Sequence, residues 1–425
     1  MVKRCLIVSY YFPPVGGGGV QRMVKLIHYL SKFNWKFTIL TSENDLASLP
    51  VDETFLSEID NLVKIIRIPA NINKRRSNSL LKNIFAGKSG YLQRWISALF
   101  YIPDIRKNWL NPLLPVLYDE LNKNKYDCLL TTSPPYSLAI LASQLTGELS
   151  IPVILDMRDP WSNNPYKIHP TPYHKFRDKQ IELKSIANIQ YGVSAYKSLI
   201  RFYKAQINNF DPERWVFVPN GYDENDFTDL KAESLNNGRF NIAFSGTFYS
   251  HINNPKSLFK TLSQLNKNYK DKILFHHIGS SQIRLDKLIA KYKLENNVKI
   301  WGYLSHRSCL DKLNQMDAFC FILDDRNKNS KNTIGGKVYE YLRLKKPILA
   351  LTPKDGDAAE LIIETDSGEV VSPHDTQKII QILKTWMDGN INYSFKGIEL
   401  FSREKQARQF LDLLNRACEV GKINN

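Results

Sequence analysis

The chain has 425 residues, 43% of them hydrophobic and 12% aromatic, which is too long for a single core and suits two domains of similar size. With 24% charged residues, long disorder is not expected, and a net charge of +16 calls for an anionic partner: nucleic acid, nucleotide phosphates and an anionic membrane all match that sign. Five cysteines (Cys5, Cys128, Cys309, Cys320, Cys418) are an odd number without CxxC spacing, so they read as reduced core residues of a cytosolic protein rather than a disulfide framework.

The first apolar run, Cys5–Tyr10, is far shorter than the apolar region of an export signal, and no later stretch reaches the ~18 apolar residues that a membrane-spanning helix needs. No export signal is therefore expected, and any membrane contact should be peripheral. Short apolar, β-branched runs then alternate with helical stretches: Cys5–Tyr10, Phe37–Thr41, Val63–Ile68, Cys128–Thr132, Val153–Met157 and Val216–Val218. The scheme repeats with Asn241–Ser245, Ile273–Ile278, Val298–Trp301, Ala318–Leu323, Pro347–Leu351 and Glu369–Val371. Strand alternating with helix predicts an α/β chain of two Rossmann-like, doubly wound parallel-sheet domains. The polar stretch from Asn220 to Gly238 places the boundary near Leu230–Gly238, giving domains 1–230 and 231–425. A helix over Asp375–Met387 and a last one over about 402–420 follow, and periodicity leaves open which domain the last helix packs on.

Directly after the first strand come Pro13-Pro14, Gly16, Gly17, Gly18 and Gly19, then a helix with Val20, Met23, Val24, Ile27 and Leu30 on one face. Consecutive glycines let backbone amides approach a ligand, and the helix start offers unpaired N–H groups to an anion. The strand Val153–Met157 delivers Asp156, Arg158 and Asp159 to its carboxyl end. There a carboxylate could hold sugar hydroxyls or take a proton from an acceptor, and Arg158 could pair with a carboxylate or a phosphate. His169 and His174 follow in a polar loop. Farther on, Asn332-Thr333-Ile334-Gly335-Gly336-Lys337 opens another helix, a second amide-rich start with a cation suited to a diphosphate.

Between Lys74 and Lys107 the chain carries eight Lys and Arg and a single acid, Asp104. Leu80, Leu81, Ile84, Phe85, Tyr91, Leu92, Trp95, Ile96, Leu99, Phe100 and Tyr101 are interleaved with them. The segment reads either as a surface for anionic lipid or as a folded helical excursion with a solvated basic face.

Six segments in order resemble the family 4 glycosyltransferases, retaining enzymes of GT-B architecture that build bacterial surface polysaccharides. They are Tyr11–Arg22, Ser133-Pro134-Pro135, Asp156–Trp161, Val218–Asp223, Phe244–Tyr249 and Gly335–Leu342. The resemblance implies two lobes facing each other across a cleft, the amino lobe for the acceptor and the carboxy lobe for a nucleotide-sugar donor. It implies catalytic roles for Asp159, Asp156 and Arg158, and a donor site of Gly16 to Gly19, Gly246, Thr247, Asn332, Gly335, Gly336, Lys337 and Glu340. Glu340 matches a family glutamate that holds the ribose, whereas Asn332 stands where relatives have a glutamate touching the donor sugar. No histidine follows Ser133-Pro134-Pro135-Tyr136 where many relatives carry one, and the cations that relatives place after Gly246 are absent from Thr247–Asn254. Phosphate neutralisation then falls to Lys337, with Arg158 or Arg22 from the amino lobe. Arg307 is a candidate at the base edge, and the acids of Asp355–Leu361 read as a favoured helix start.

The expected function is hexosyl transfer, with retention, from a nucleotide diphosphate sugar to a glycan or lipid-linked acceptor in cell-surface polysaccharide synthesis. It would take place in the cytoplasm, at the inner face of the cell membrane where the acceptor is lipid-linked, with no cofactor and no metal. The alternatives are a non-hydrolysing sugar-nucleotide epimerase of the same fold and a basic nucleic-acid-binding protein.

Overall fold

The computed structural model describes residues 2–43, 51–70, 90–231, 235, 237–326 and 328–423. Short runs of Val, Ile, Leu and Phe form β1 (Lys3–Val8), β2 (Trp35–Glu43), β3 (Val63–Pro69), β4 (Cys128–Ser133), β5 (Val153–Met157), β6 (Tyr191–Ser194) and β7 (Trp215–Phe217). They pair in parallel in the order β3-β2-β1-β4-β5-β6-β7. A second parallel sheet contains β8 (Phe240–Ser245), β9 (Ile273–Ile278), β10 (Val298–Gly302), β11 (Ala318–Ile322), β12 (Ile348–Leu351) and β13 (Gly368–Val371), in the order β10-β9-β8-β11-β12-β13. Helices intervene between most successive strands. The inner strands β4 and β5 are buried at every position, so each opens with three consecutive apolar residues, Cys128–Leu130 and Val153–Leu155, instead of the alternation of a half-exposed sheet, and polar residues follow toward their carboxyl ends. The expected pair of doubly wound Rossmann-like domains is what forms.

Each sheet has its own core. Ile7, Met23, Ile27, Ile39, Leu130 and Val193 belong to the first, and Phe244, Phe259, Leu262, Phe275, Leu349 and Ile379 to the second. All five cysteines are free and buried. The last helix, Arg403–Ile423, adds Ala407, Phe410, Leu413, Leu414 and Ala417 to the first core.

The chain divides into two compact units. Residues up to Asn220, apart from Asn164–Tyr166, form one together with Arg403 onward, and Gly221–Ser402 with Asn164–Tyr166 form the other. The polar segment after Asn220 thus belongs to the second unit. Tyr222 donates from its backbone N–H to the Phe401 carbonyl at 3.1 Å, Arg343 binds Glu224 at 2.7 Å and lies over the Phe227 ring, and Arg307 donates to the Thr228 carbonyl at 2.6 Å. Polar side chains that read as a linker in sequence are fastened here by partners distant along the chain.

Strand β6 is absent from the sequence reading. It has four residues, two of them Gly192 and Ser194, and too little apolar content for a pattern. Gly192 is required by a close approach, since a Cβ there would fall 2.4 Å from the Trp215 ring.

Candidate functional site

In an open parallel sheet, ligands bind beyond the carboxyl ends of strands where the order reverses. That point lies between β1 and β4 in the first sheet and between β8 and β11 in the second.

In the first unit β1 runs into the glycine loop, and Gly17, at φ 117°, caps the helix Gly18–Ser31. The amides of Val20 and Gln21 both reach the Gly17 carbonyl at 3.0 Å, whereas those of Gly18 and Gly19 precede any intrahelical acceptor. Gly17 and Gly18 border open space. Gly19 lies under the Arg158 guanidinium, and a Cβ on it would fall 1.5 Å from Nη1. Any side chain at residue 19 would displace Arg158, which is why a glycine stands there.

Arg22, 3% exposed, donates to both oxygens of Asp156 (3.0 and 3.4 Å) and to the carbonyls of Val218 (2.8 Å) and Pro219 (2.7 Å). Asp156, fully buried, also accepts from Thr132 Oγ1 at 3.1 Å. These bonds join β4, β5 and the chain after β7 to the first helix. They take four of the five guanidinium N–H donors of Arg22, which holds it as part of the fold, and they make Asp156 its anchor. Arg158 extends β5, its amide bonded to the Ser133 carbonyl at 2.9 Å, and its Nη2 donates to the Pro134 carbonyl. Burial lowers its pKa, with Asp156 and Asp159 opposing. Asp159 is half-buried; burial pushes its carboxyl up to about 6, against the pull of Arg158 and a hydrogen bond from Tyr196. A carboxyl that titrates near neutrality is suited to proton transfer.

The rest of that turn is structural. Trp161 stacks on Tyr136 (5.2 Å) and donates through Nε1 to Asp178 at 2.8 Å, and Asp178 also holds Lys167 (2.6 Å) and His169 (2.9 Å). His174 bonds Thr171 Oγ1 at 2.8 Å and the Leu99 carbonyl at 3.2 Å, fastening the start of the helix Pro172–Ala187. Both histidines therefore have partners within the fold.

In the second unit β8 is followed by Gly246, at φ 138°, whose carbonyl accepts from His277 Nε2 at 3.0 Å. Asn253 holds the Thr247 carbonyl at 2.8 Å and the Tyr249 amide at 2.6 Å, so this loop is pinned without a cation. Asn332 is half-buried and Gly336, exposed, opens the helix Lys337–Leu344 with free space around it. Tyr341 of that helix stacks on Phe319 of β11 (4.3 Å), and its hydroxyl oxygen accepts from the Ser245 amide of β8 at 2.7 Å. These contacts fix the helix against β11 and beside the carboxyl end of β8.

Lys337 Nζ meets both oxygens of Glu340 at 3.0 Å, and His306 Nε2 meets Oε1 at 3.2 Å. Burial raises the Glu340 pKa, but Lys337 and His306 outweigh it and hold the carboxyl below its usual range. Burial likewise opposes the charge on Lys337, yet Glu340 keeps it above its ordinary value. His306 is the member that sequence reasoning passed over, because it lies 34 positions from Glu340 and no local spacing joins them. Arg307, next to it, is turned to the Thr228 and Asp229 carbonyls. At the helix Asp357–Glu364 the acids Asp357 and Glu360 sit in the first turn, as a helix dipole favours.

Asp324, Asp325 and His374 bring three possible ligand atoms within 4.8 Å of one another. Arg326 already forks onto Asp324 at 2.9 and 2.5 Å and Ser372 donates to Asp325 at 2.5 Å, so both carboxylates have partners within the chain. Of the basic stretch, Lys74, Arg75, Arg76, Lys82 and Lys88 lie outside the described residues. Its helix Gly90–Phe100 has Leu92, Trp95 and Ile96 half-buried and Phe100 73% exposed. No helix among the described residues is long and apolar enough to cross a membrane.

Residues 226–396 match the family model of Glycosyl transferases group 1. No curated protein matches the sequence. Among solved structures, HepE of Anabaena in complex with UDP superposes with a TM-score of 0.62 at 13% identity, over 98% of this chain and 100% of that one. The lipopolysaccharide outer core galactosyltransferase WaaB gives 0.59 at 14% identity, over 98% and 99%. A TarM variant of S. aureus, in complex with fondaparinux, alpha-GlcNAc-glycerol and UDP, gives 0.60 at 12% identity, over 97% and 100%. The second unit thus matches the glycosyl transferases group 1 model over residues 226–396, in a chain whose two parallel-sheet units have the GT-B fold.

Proposed function

We propose that the chain transfers a hexose, with retention, from a nucleotide diphosphate sugar to a glycan or lipid-linked acceptor, as a family 4 enzyme of cell-surface polysaccharide synthesis. The observation that carries this reading is the Lys337–Glu340–His306 group at the start of a helix within the group 1 domain. A helix start and a lysine suit a diphosphate, and a carboxylate held ionised suits the two hydroxyls of a ribose. HepE and TarM were both solved with UDP, which supports a uridine diphosphate donor here.

In the reaction the bond from the sugar C1 to the diphosphate oxygen breaks, and its electron pair leaves with the nucleotide diphosphate. A bond from C1 to the acceptor oxygen forms, and the hydroxyl proton passes to a base. Asp159 is our candidate for that base, because its carboxyl titrates near neutrality and follows a central strand. Gly246, Thr247, Asn332, Gly335 and Gly336 would line the donor site, with Lys337 taking negative charge and Asn332 offering an uncharged contact to the sugar. An acceptor anchored in lipid would bring the enzyme to the inner face of the membrane, with Trp95, Ile96 and Phe100 of the helix Gly90–Phe100 at headgroup level.

A panel of nucleotide sugars tests the reading. The expected result is that one of them raises the melting temperature and, with an acceptor, yields free nucleotide diphosphate together with a lengthened acceptor. Interconversion of free nucleotide sugars without an acceptor would replace transfer by epimerisation.

A further inference from the structure

Strand β9 closes on His276-His277-Ile278, and the second histidine is the one that reaches the loop after β8. His277 stands opposite Phe244 in the ladder, is 0% exposed, and stacks on the Phe248 ring at 4.4 Å. Burial holds its pKa below the ordinary histidine value, so the ring is neutral. A carbonyl oxygen only accepts, so the ring proton is on Nε2, bonded to the Gly246 carbonyl at 3.0 Å, while Nδ1 is buried with no partner among the described residues. Gly279, at φ 140°, makes room for that carbonyl, since a Cβ there would fall 2.3 Å from the Gly246 oxygen. The Gly246–Thr247 peptide is trans, so its C=O and its N–H point in opposite directions. With the carbonyl turned to β9, the Thr247 N–H is turned to the other side of β8, where β11 lies. That side is where the strand order reverses and where open parallel sheets take their ligands. The next peptide is held as well: Asn253 donates to the Thr247 carbonyl at 2.8 Å, and the Phe248 amide bonds the Ser280 carbonyl at 3.0 Å. Among the described residues the Thr247 amide meets no acceptor.

We infer that His277 is a positioning residue: it holds the Gly246–Thr247 peptide so that the Thr247 N–H faces the donor diphosphate. This rests on the proposed function above, in which Gly246 and Thr247 line the donor site. No Lys or Arg stands in Thr247–Asn254, and a backbone amide cannot follow a phosphate as a long cationic side chain can, so it has to be held in place to serve there. With the peptide flipped, the Gly246 carbonyl oxygen would face the phosphate and repel it. One hydrogen bond from a buried ring therefore decides whether this position attracts an anion or turns it away.

Titration of the full chain with UDP and with uridine tests the inference, because UDP alone carries the diphosphate. His277→Phe keeps an aromatic ring against Phe248 and removes the N–H; it should weaken UDP about tenfold or more, the usual loss with a hydrogen bond to a charged group, and leave uridine within about twofold of the parent. His277→Gln returns an N–H donor near the place of Nε2 and should bring UDP back to within about threefold of the parent. Equal losses of UDP and uridine in His277→Phe would mean that the ring is only part of the core. Unchanged UDP affinity in that variant, or a loss as large in His277→Gln, would overturn the hydrogen bond as the cause. Hydrogen exchange of segment 246–253 without nucleotide gives a second readout. It should quicken in His277→Phe, or in His277→Leu where the first variant does not fold, and return toward the parent rate in His277→Gln. Exchange that is unchanged in the apolar variant overturns the positioning role. A parent chain that binds no UDP removes the donor assignment, and exchange alone then decides whether His277 holds the loop.

Discussion

The two units each present a glycine-opened helix beside a cation, and they treat that cation differently. At the start of the helix Lys337–Leu344 the lysine is closed off by Glu340 at 3.0 Å, so a diphosphate must draw it away from a carboxylate that remains nearby. At the start of the helix Gly18–Ser31 one arginine, Arg22, is locked to Asp156, while the next, Arg158, has no carboxylate oxygen within 4.0 Å among the described residues and feels Asp156 and Asp159 only from farther away. The same local feature can therefore be structural, poised or vacant, and the placing of one aspartate or glutamate decides which. A carboxylate within 3–4 Å sets how firmly a cation is held.

Breaking the locked pair should have the largest effect. Arg22→Met leaves Asp156 buried and unpaired, and should cost about 3–5 kcal/mol of unfolding free energy in urea titration, against no loss for Arg158→Met. Equal losses in the two variants would erase the distinction between them. Asp159→Asn comes next: turnover should fall by about 100-fold or more, the usual contribution of a positioned acid or base, with UDP affinity within twofold of the parent. Lys337→Ala should weaken UDP binding by roughly tenfold, or about 1.4 kcal/mol, by calorimetry, and Glu340→Gln should weaken it as well, by removing the charge from the group assigned to the ribose hydroxyls. The pH profile is expected to be gentler. Burial raises the Asp159 carboxyl to about 6, so the proton-accepting form exists above that value and turnover should fall roughly tenfold from pH 7 to pH 5. For stability the sign reverses: a carboxyl whose folded pKa is raised favours the fold below about pH 4, and that contribution is lost as pH rises through 6. The smallest effect concerns lipid, where Arg94→Glu should reduce co-sedimentation with anionic vesicles by about twofold, and equal binding to neutral vesicles would argue for a merely folded helix.

Much of this was legible in the sequence. Short apolar runs located twelve of the thirteen strands among the described residues, because a central parallel strand is covered on both faces, and Val153–Met157 came out residue for residue. Strand β6 was not legible, since Gly192 and Ser194 serve backbone proximity to Trp215 rather than apolar pattern. Within the candidate site the sequence could place Arg22, Asp156, Arg158 and Asp159 near one sheet edge. It could not say that Arg22 rather than Arg158 takes Asp156, because the choice depends on contacts across 134 residues. The place of His306 beside Glu340 was hidden for the same reason.

The last helix gives the molecule an order of assembly. Phe410, Leu413 and Leu414 fill a core whose strands were laid down before residue 221, while Gly221–Ser402 closes on itself in between. During synthesis on the ribosome the second unit has all its sequence before the first does, so the first unit's core stays incomplete until the helix Arg403–Ile423 emerges. A stop codon near residue 402 would therefore spare the later unit and ruin the earlier one.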